Sequence, residues 1–339
     1  MKVALDAQLA VGTATGIGEY VRGLAASLRL IGVDVEELAE PRLDPWRFDR
    51  RLLWDQVLLP RRAARSRADI LHCASGTMPL HAPVPVVVTV HDVAWLRAQA
   101  HARGYARYYF GRFALQRYRG ATQIVVDSHF SRNELLEVCD LPEDRISVVY
   151  PGVAADVCAL VRRPAIEPTI LVVGTVERRK NVKIIIRALA ALPGVRVISI
   201  GPSTPYQREC SALARELGVT DRIDFRGYVS RSKLLEAYAG CSVVAVPSRY
   251  EGFGYAVAQS LCAGAPVVVS DQSSLPEVAR GDAPVVGVDD LHGWIGAVGA
   301  ILESRPQPDP AIRARSIERF AWHTSALAMA EIYRKVLAQ

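Results

Sequence analysis

The chain has 339 residues, 50% of them apolar and 22% charged, with 41 Lys and Arg against 35 Asp and Glu and a net charge of +6. That is a globular composition with length enough for two domains, and it excludes a disordered chain, a collagen-like fibre and a small disulfide scaffold. The basic excess is spread over both halves without a nucleic-acid-binding arm, and no apolar run approaches the roughly 18 residues of a membrane span.

The start, Met1-Lys2-Val3, leads straight into a strand without an apolar leader, which points to a cytoplasmic protein. Short β-branched runs then alternate with helical periodicity, the pattern of parallel α/β sheets. In the first half strands are expected at 3–6, 33–38, 69–72, 86–90, 123–126 and 146–149. Helices are expected at 18–30, 52–64, 104–119 and 131–139. Pro164 and Pro168 bracket a polar segment that marks the domain boundary, with the first domain ending near Val153. The pattern restarts with strands at 170–173, 196–200, 222–225, 242–246 and 266–269, and helices at 182–191, 207–217, 233–239 and 255–263. Apolar positions from Leu327 to Leu337 make a last helix, assigned to 322–339 and expected to return to the first domain. Two open α/β domains facing each other across a cleft place a ligand at the carboxyl ends of the strands.

Three strand-to-helix turns carry polar chemistry. Gly12-Thr13-Ala14-Thr15-Gly16-Ile17-Gly18 allows backbone N–H groups to approach an anion, although Val21 stands where a dinucleotide fingerprint needs its third glycine. Gly174-Thr175-Val176-Glu177-Arg178-Arg179-Lys180-Asn181 sets three consecutive cations at the end of a strand, where a diphosphate would be neutralised or a solvated charge run would sit. Pro247-Ser248-Arg249-Tyr250-Glu251-Gly252-Phe253-Gly254 ends at a helix start near Tyr255, so that backbone donors and the Glu251 carboxylate could hold a sugar, or Glu251 could serve that helix terminus. His91 and Asp92 follow the apolar strand 86–90, but neighbours in a strand point to opposite faces and are not expected to pair with each other. The six cysteines show no C-x-x-C pair and read as reduced, packed thiols. No D-x-D triplet, metal-ligand spacing, P-loop or G-x-S-x-G occurs, and no metal is expected.

These pieces resemble, in order and over nearly the whole length, the retaining GT-B glycosyltransferases of family 4. Leu5-Asp6-Ala7 with Thr15-Gly16-Ile17-Gly18-Glu19-Tyr20 is similar to the family's opening strand and glycine loop. His91-Asp92, Asp127-Ser128-His129-Phe130-Ser131 and Tyr150-Pro151-Gly152-Val153 follow, then the 174–181 loop, Phe225-Arg226-Gly227-Tyr228-Val229, Glu251-Gly252-Phe253-Gly254, Ser273 to Val278 and Phe320-Ala321-Trp322. The resemblance implies an α/β GT-B fold of two Rossmann-like domains and a metal-independent, retaining hexosyl transfer. It assigns the donor diphosphate to Arg179 and Lys180 with Gly174 and Gly16 close by, and the transferred sugar to Glu251 with backbone groups of Gly252, Phe253, Gly254 and Tyr255. His91 is assigned a place at the active site beside the sugar, and Tyr228 and Val229 the nucleobase. No cofactor is implied beyond the nucleotide-sugar donor, for which GDP-mannose is the first expectation and a UDP- or dTDP-sugar the alternative. The acceptor would be a glycan or a lipid-linked glycan in surface polysaccharide assembly.

Three positions depart from the family pattern. Gln259 stands where a second acid would bind the ribose, Glu19 replaces an Arg, and Arg178 replaces a Pro. Gln259 and Glu19 leave open a sugar-nucleotide-binding subunit with little catalysis, and the two-domain shape is shared with nucleotide-sugar epimerases. Residues 103–119 interleave Arg103, Arg107, Arg112, Arg117 and Arg119 with six aromatic residues. Such a stretch suits either the anionic inner face of a membrane or a core-packed helix with a solvated Arg face.

Overall fold

A computed structural model of the chain describes residues 1–12, 16–44, 47–94, 108–109, 113–163 and 167–339. They form two compact units, Met1–Gly152 with Phe320–Gln339, and Val153–Arg319.

The first unit is a six-stranded parallel sheet in the order β2-β1-β3-β4-β5-β6. Its strands are β1 (Lys2–Asp6), β2 (Asp34–Leu38), β3 (Ile70–Cys73), β4 (Val86–Val90), β5 (Gln123–Val126) and β6 (Ile146–Val148). β3, β4 and β5 are buried on both faces, which is why they read as continuous apolar runs. One face packs Val3, Leu5, Val87 and Val125 against the first helix, Gly16–Leu30, and the C-terminal helix, Trp322–Leu337. The other packs Ala4, Leu71, Val88 and Ile124 against Trp54, Leu59 and Tyr118.

The second unit repeats the scheme in the order β12-β11-β10-β7-β8-β9. The strands are β7 (Thr169–Val173), β8 (Arg196–Ile200), β9 (Ile223–Gly227), β10 (Val243–Val246), β11 (Val267–Ser270) and β12 (Val285–Val286). Its core joins Ile170, Val172, Val197 and Val243 to the helix Val182–Ala190 and to Trp294 and Val298. The chain leaves β7 toward β8 and β9 on one side and returns to β10, β11 and β12 on the other. The turns after β7 and β10 therefore flank the switch point of the sheet, where such folds bind ligands.

The structure corrects two local expectations. The helix expected at 52–64 is interrupted: Phe48–Leu53 and Leu59–Ser66 are joined by a π-helical turn over Trp54–Leu58. Pro60 lies in the first turn of the second piece, and a wide turn before it absorbs its missing N–H and the clash of its ring. Beyond 270, helices Leu275–Ala279, Leu291–Ser304 and Pro310–Arg319 and the strand β12 appear where none was expected. Gly293, Gly296 and Gly299 weaken the helical signal of Leu291–Ser304, and burial of Trp294 and Val298 carries it instead.

Candidate functional site

The turn after β7 is held open by a glycine. Gly174 sits at φ +130°, and a Cβ there would lie 3.1 Å from Cε of Lys180, which folds back over it. Glu177 leads into one 3-10 turn, Arg178–Lys180, which Asn181 closes at φ 50° with its amide donating to the Val288 carbonyl at 2.9 Å. The Arg249 amide donates to the Arg179 carbonyl at 2.6 Å, tying this turn to the one after β10.

Arg179 and Lys180 converge on Glu251. Arg179 Nη1 lies 3.2 Å from one carboxylate oxygen of Glu251 and donates to the Tyr250 carbonyl at 3.1 Å, while its Nε meets Glu177 at 2.7 Å. Lys180 Nζ pairs with the other oxygen of Glu251, which also accepts from Ser248 Oγ at 2.8 Å. Glu251 is buried. Burial alone would raise its pKa, but the Lys180 and Arg179 charges and the hydrogen bonds from Lys180 and Ser248 outweigh it and hold the carboxyl at about 2. Its amide donates to Ser273 Oγ at 2.9 Å, and Ser274 Oγ donates to the carbonyls of Glu251 and Phe253.

Gly252, Phe253 and Gly254 are buried and lead into the helix Tyr255–Ala263. Gly254, at φ +96°, starts that helix without a side-chain cap. Gln259, on its second turn, is buried and accepts from the Tyr238 hydroxyl at 2.9 Å, so its amide oxygen already serves the protein. Tyr228, 54% exposed, and half-buried Val229 line a cavity of about 670 Å³ with Ile198, Lys233 and Glu236.

Arg178 does not join this cluster. It pairs with Glu209 and lies over the Tyr206 ring, beside Lys183, so the three-cation run divides into two cations at Glu251 and one on the neighbouring helix.

In the first unit, Gly16 opens the first helix, and among the described residues nothing lies within 4 Å of where its Cβ would stand. His91 is not paired with Asp92, whose carboxylate accepts from the Ala94 amide at 3.0 Å. Its partner is Asp127: Nδ1 lies 2.6 Å from Asp127 Oδ2, and Nε2 lies 3.0 Å from the Ala74 carbonyl. The sequence reading gave Asp127 no such part. No local signal pairs the two residues: they meet because β4 and β5 are adjacent parallel strands with Val90 opposite Val126, which brings the next residues of both strands together. Among the described residues no group of three His, Cys, Asp or Glu is placed to hold a metal ion.

Of the stretch 103–119, residues 108–109 and 113–119 are among the described residues. Within them, Arg117 does not belong to a solvent or membrane face: it is 2% exposed, donates to the Met78 carbonyl at 2.8 Å and stacks on Tyr109 and Phe113. Tyr109 and Tyr118 are buried with it, and Tyr108 and Arg119 are exposed. Among the described residues no helix is long and apolar enough to cross a membrane.

Comparison with known proteins follows the same two halves. The family model described as Glycosyltransferase Family 4 matches residues 14–157, and that described as Glycosyl transferases group 1 matches residues 161–303. The chain belongs to the group 1, family 4 glycosyltransferases. A similar glycosyltransferase is the D-inositol 3-phosphate glycosyltransferase of Mycolicibacterium smegmatis, 30% identical over 75% of this chain and 63% of the relative. The chain thus spans less than two thirds of that relative's length. Among solved structures, sucrose-phosphate synthase from Thermosynechococcus elongatus superimposes with a TM-score of 0.80 at 20% identity, covering 100% of this chain and 99% of that one. Anabaena HepE in complex with UDP-glucose gives 0.74 at 17% identity, covering 99% and 100%. This member of the family therefore has the GT-B fold, with two six-stranded parallel sheets flanked by helices.

Proposed function

We propose that the protein transfers a hexosyl group from a nucleoside diphosphate sugar to a hydroxyl of a glycan or lipid-linked acceptor, with retention and without a bound metal. The observation that carries this reading is the convergence of Arg179 and Lys180 on Glu251 at the switch point of the second sheet. Two cations share one buried carboxylate, and an arriving diphosphate competes for both of them. Once they turn to the phosphates, Glu251 is released to accept hydrogen bonds from the hydroxyls of the sugar. Arg179 and Lys180 then stabilise the charge that develops on the departing diphosphate, which is the largest electrostatic demand of the reaction. The amides of residues 252–255 orient the donor at the start of their helix. Tyr228 and Val229 border the cavity assigned to the base.

GDP-mannose remains the first donor reading, on the sequence resemblance. The UDP-glucose complex of HepE supports a UDP-sugar as the second. Surface polysaccharide assembly is the proposed setting. Docking on an anionic membrane would have to use residues of 103–119 other than Arg117.

Calorimetric titration of the purified protein with GDP, UDP and dTDP tests the site, with Lys180→Ala as control. Binding of one nucleotide, lost in the control, supports a donor site and names its base. A folded protein that binds none of the three sinks the transferase reading. Incubation with the matching sugar nucleotide and glycan acceptors, followed by NMR of the anomeric proton, tests retention. Binding without any glycoside product would leave a sugar-nucleotide-binding subunit.

A further inference from the structure

Both ring nitrogens of His91 face hydrogen-bond acceptors. The Ala74 carbonyl, 3.0 Å from Nε2, can only accept, so Nε2 carries a proton. Asp127 Oδ2, 2.6 Å from Nδ1, needs a second proton between the two atoms, because two lone pairs at that distance repel. A neutral imidazole has one N–H and cannot supply both. The pair therefore holds two protons and is neutral as a whole; imidazole is the stronger base, with an ordinary pKa of about 6.5 against about 3.9 for an aspartic acid, so the shared proton sits on Nδ1 and the pair is imidazolium and carboxylate.

The surroundings fit this state. Asp127 is 3% exposed, and among the described residues its Oδ1 has no hydrogen-bond partner, so its charge is met through His91. Tyr20 from the first helix sets its ring edge-on to His91, with centroids 4.9 Å apart. Asp92 adds a carboxylate from the next residue. His72 of β3, a further titratable neighbour, is held neutral by burial, with a pKa of about 3. Burial would push the His91 pKa down, but Asp127, the Ala74 carbonyl and Asp92 outweigh it and raise it above the ordinary value. The His91 side chain keeps 17% of its surface exposed, so a ligand oxygen can reach the ring.

We infer that Asp127 is a positioning residue that keeps His91 doubly protonated, so that the ring offers a fixed N–H donor to a substrate oxygen and does not act as a general base. The inference rests on the transferase reading for its substrate, and on the contacts and the ordinary basicities of the two groups for the protonation state. A ring that is already a donor at both nitrogens has no lone pair with which to take the acceptor's proton. What it can do is turn Nε2–H from the Ala74 carbonyl to a competing substrate oxygen, with its positive charge strengthening that bond.

The test uses the full chain with ¹⁵N-labelled histidine, the seven side chains resolved by NMR at about pH 7.5. One ring with both nitrogens protonated is expected, absent in His91→Gln and reduced to one N–H in Asp127→Asn. A single N–H at His91 in the wild type overturns the inference, and needs no variant to fold. The second arm is the pH dependence of kcat/KM for transfer. The wild type should be level from about pH 6 to 8, whereas Asp127→Asn, its ring left to burial without the carboxylate that raises its pKa, should lie about tenfold below the wild type at pH 8 and regain activity as the pH is lowered. His91→Gln, which keeps an amide donor, should retain more activity than His91→Phe. An Asp127→Asn profile as level as the wild type overturns the positioning role. A doubly protonated ring in a protein that binds no nucleoside diphosphate overturns the transferase reading, and the substrate role with it, while the spectrum still reports the protonation.

Discussion

Lys180 and Arg179 have a carboxylate to neutralise before any ligand arrives, and that sets what each substitution should do. Lys180→Ala removes one charge-assisted contact to a diphosphate and leaves Arg179 alone with Glu251. Nucleotide affinity should fall roughly tenfold to a hundredfold, read by calorimetry. Glu251→Gln should behave oppositely in the two assays. It frees both cations for phosphate, so nucleotide binding is kept or tightened, while transfer collapses because the sugar loses its carboxylate. A variant that loses both to the same degree would place Glu251 in the structural support of the loop instead. At Gln259 the amide oxygen is occupied by Tyr238, so on the proposed reading a ribose hydroxyl would meet the NH₂ of the amide and no charge. Gln259→Glu should raise nucleotide affinity several-fold near neutral pH, and no gain in the same titration would show that the ribose lies elsewhere.

At the scale of elements, the C-terminal helix is fastened by a buried chain of hydrogen bonds. The Tyr333 hydroxyl meets His72 Nδ1 at 2.6 Å, His72 Nε2 meets Thr89 Oγ1 at 2.8 Å, and Thr89 Oγ1 meets the Tyr20 hydroxyl at 3.1 Å. The chain runs from that helix through β3 and β4 to the first helix, and each polar atom in it depends on the next. Tyr333→Phe leaves His72 Nδ1 without its partner and should cost about 1–3 kcal/mol in denaturant unfolding. An unchanged midpoint would mean that water replaces the hydroxyl. Where an element's signal was its own burial, the sequence showed it: β4, β5 and β8 lie where their β-branched apolar runs set them, and the helix Tyr255–Ala263 where helical periodicity set it. Where the reason was tertiary, it did not. Arg178 reads as a third phosphate cation until Glu209 is placed beside it, and Arg117 reads as a surface charge until Tyr109 and Phe113 enclose it. Asp127 lies 36 residues from His91 and becomes its partner only because β4 and β5 are adjacent in the sheet.

For the whole molecule, acid should act on the two units at different pH. His72, in the first unit, has its pKa depressed by burial to about 3, against roughly 6.5 in the unfolded chain. Between those values the unfolded state binds a proton that the folded state refuses, so stability is complete above about pH 6.5 and is lost as the pH falls toward 3. The loss is on the order of 3–5 kcal/mol. His91 has the opposite sign. Its raised pKa adds stability below the unfolded value, lost only as the pH rises through the folded one, so it offsets part of the change near neutrality. In the second unit Glu251 is depressed to about 2, and its contribution persists down to the ordinary carboxylate range before fading. On acidification, amide hydrogen exchange resolved by mass spectrometry should therefore rise first across β3, β4 and the C-terminal helix. β7 and β10 should follow only below about pH 4.5. His72→Gln, which cannot titrate, should flatten the loss in the first unit between about pH 6.5 and 4.5 even though its stability at neutral pH is lower. Simultaneous loss of protection in both units, or an unchanged slope in His72→Gln, would assign the acid response to groups other than this buried ring.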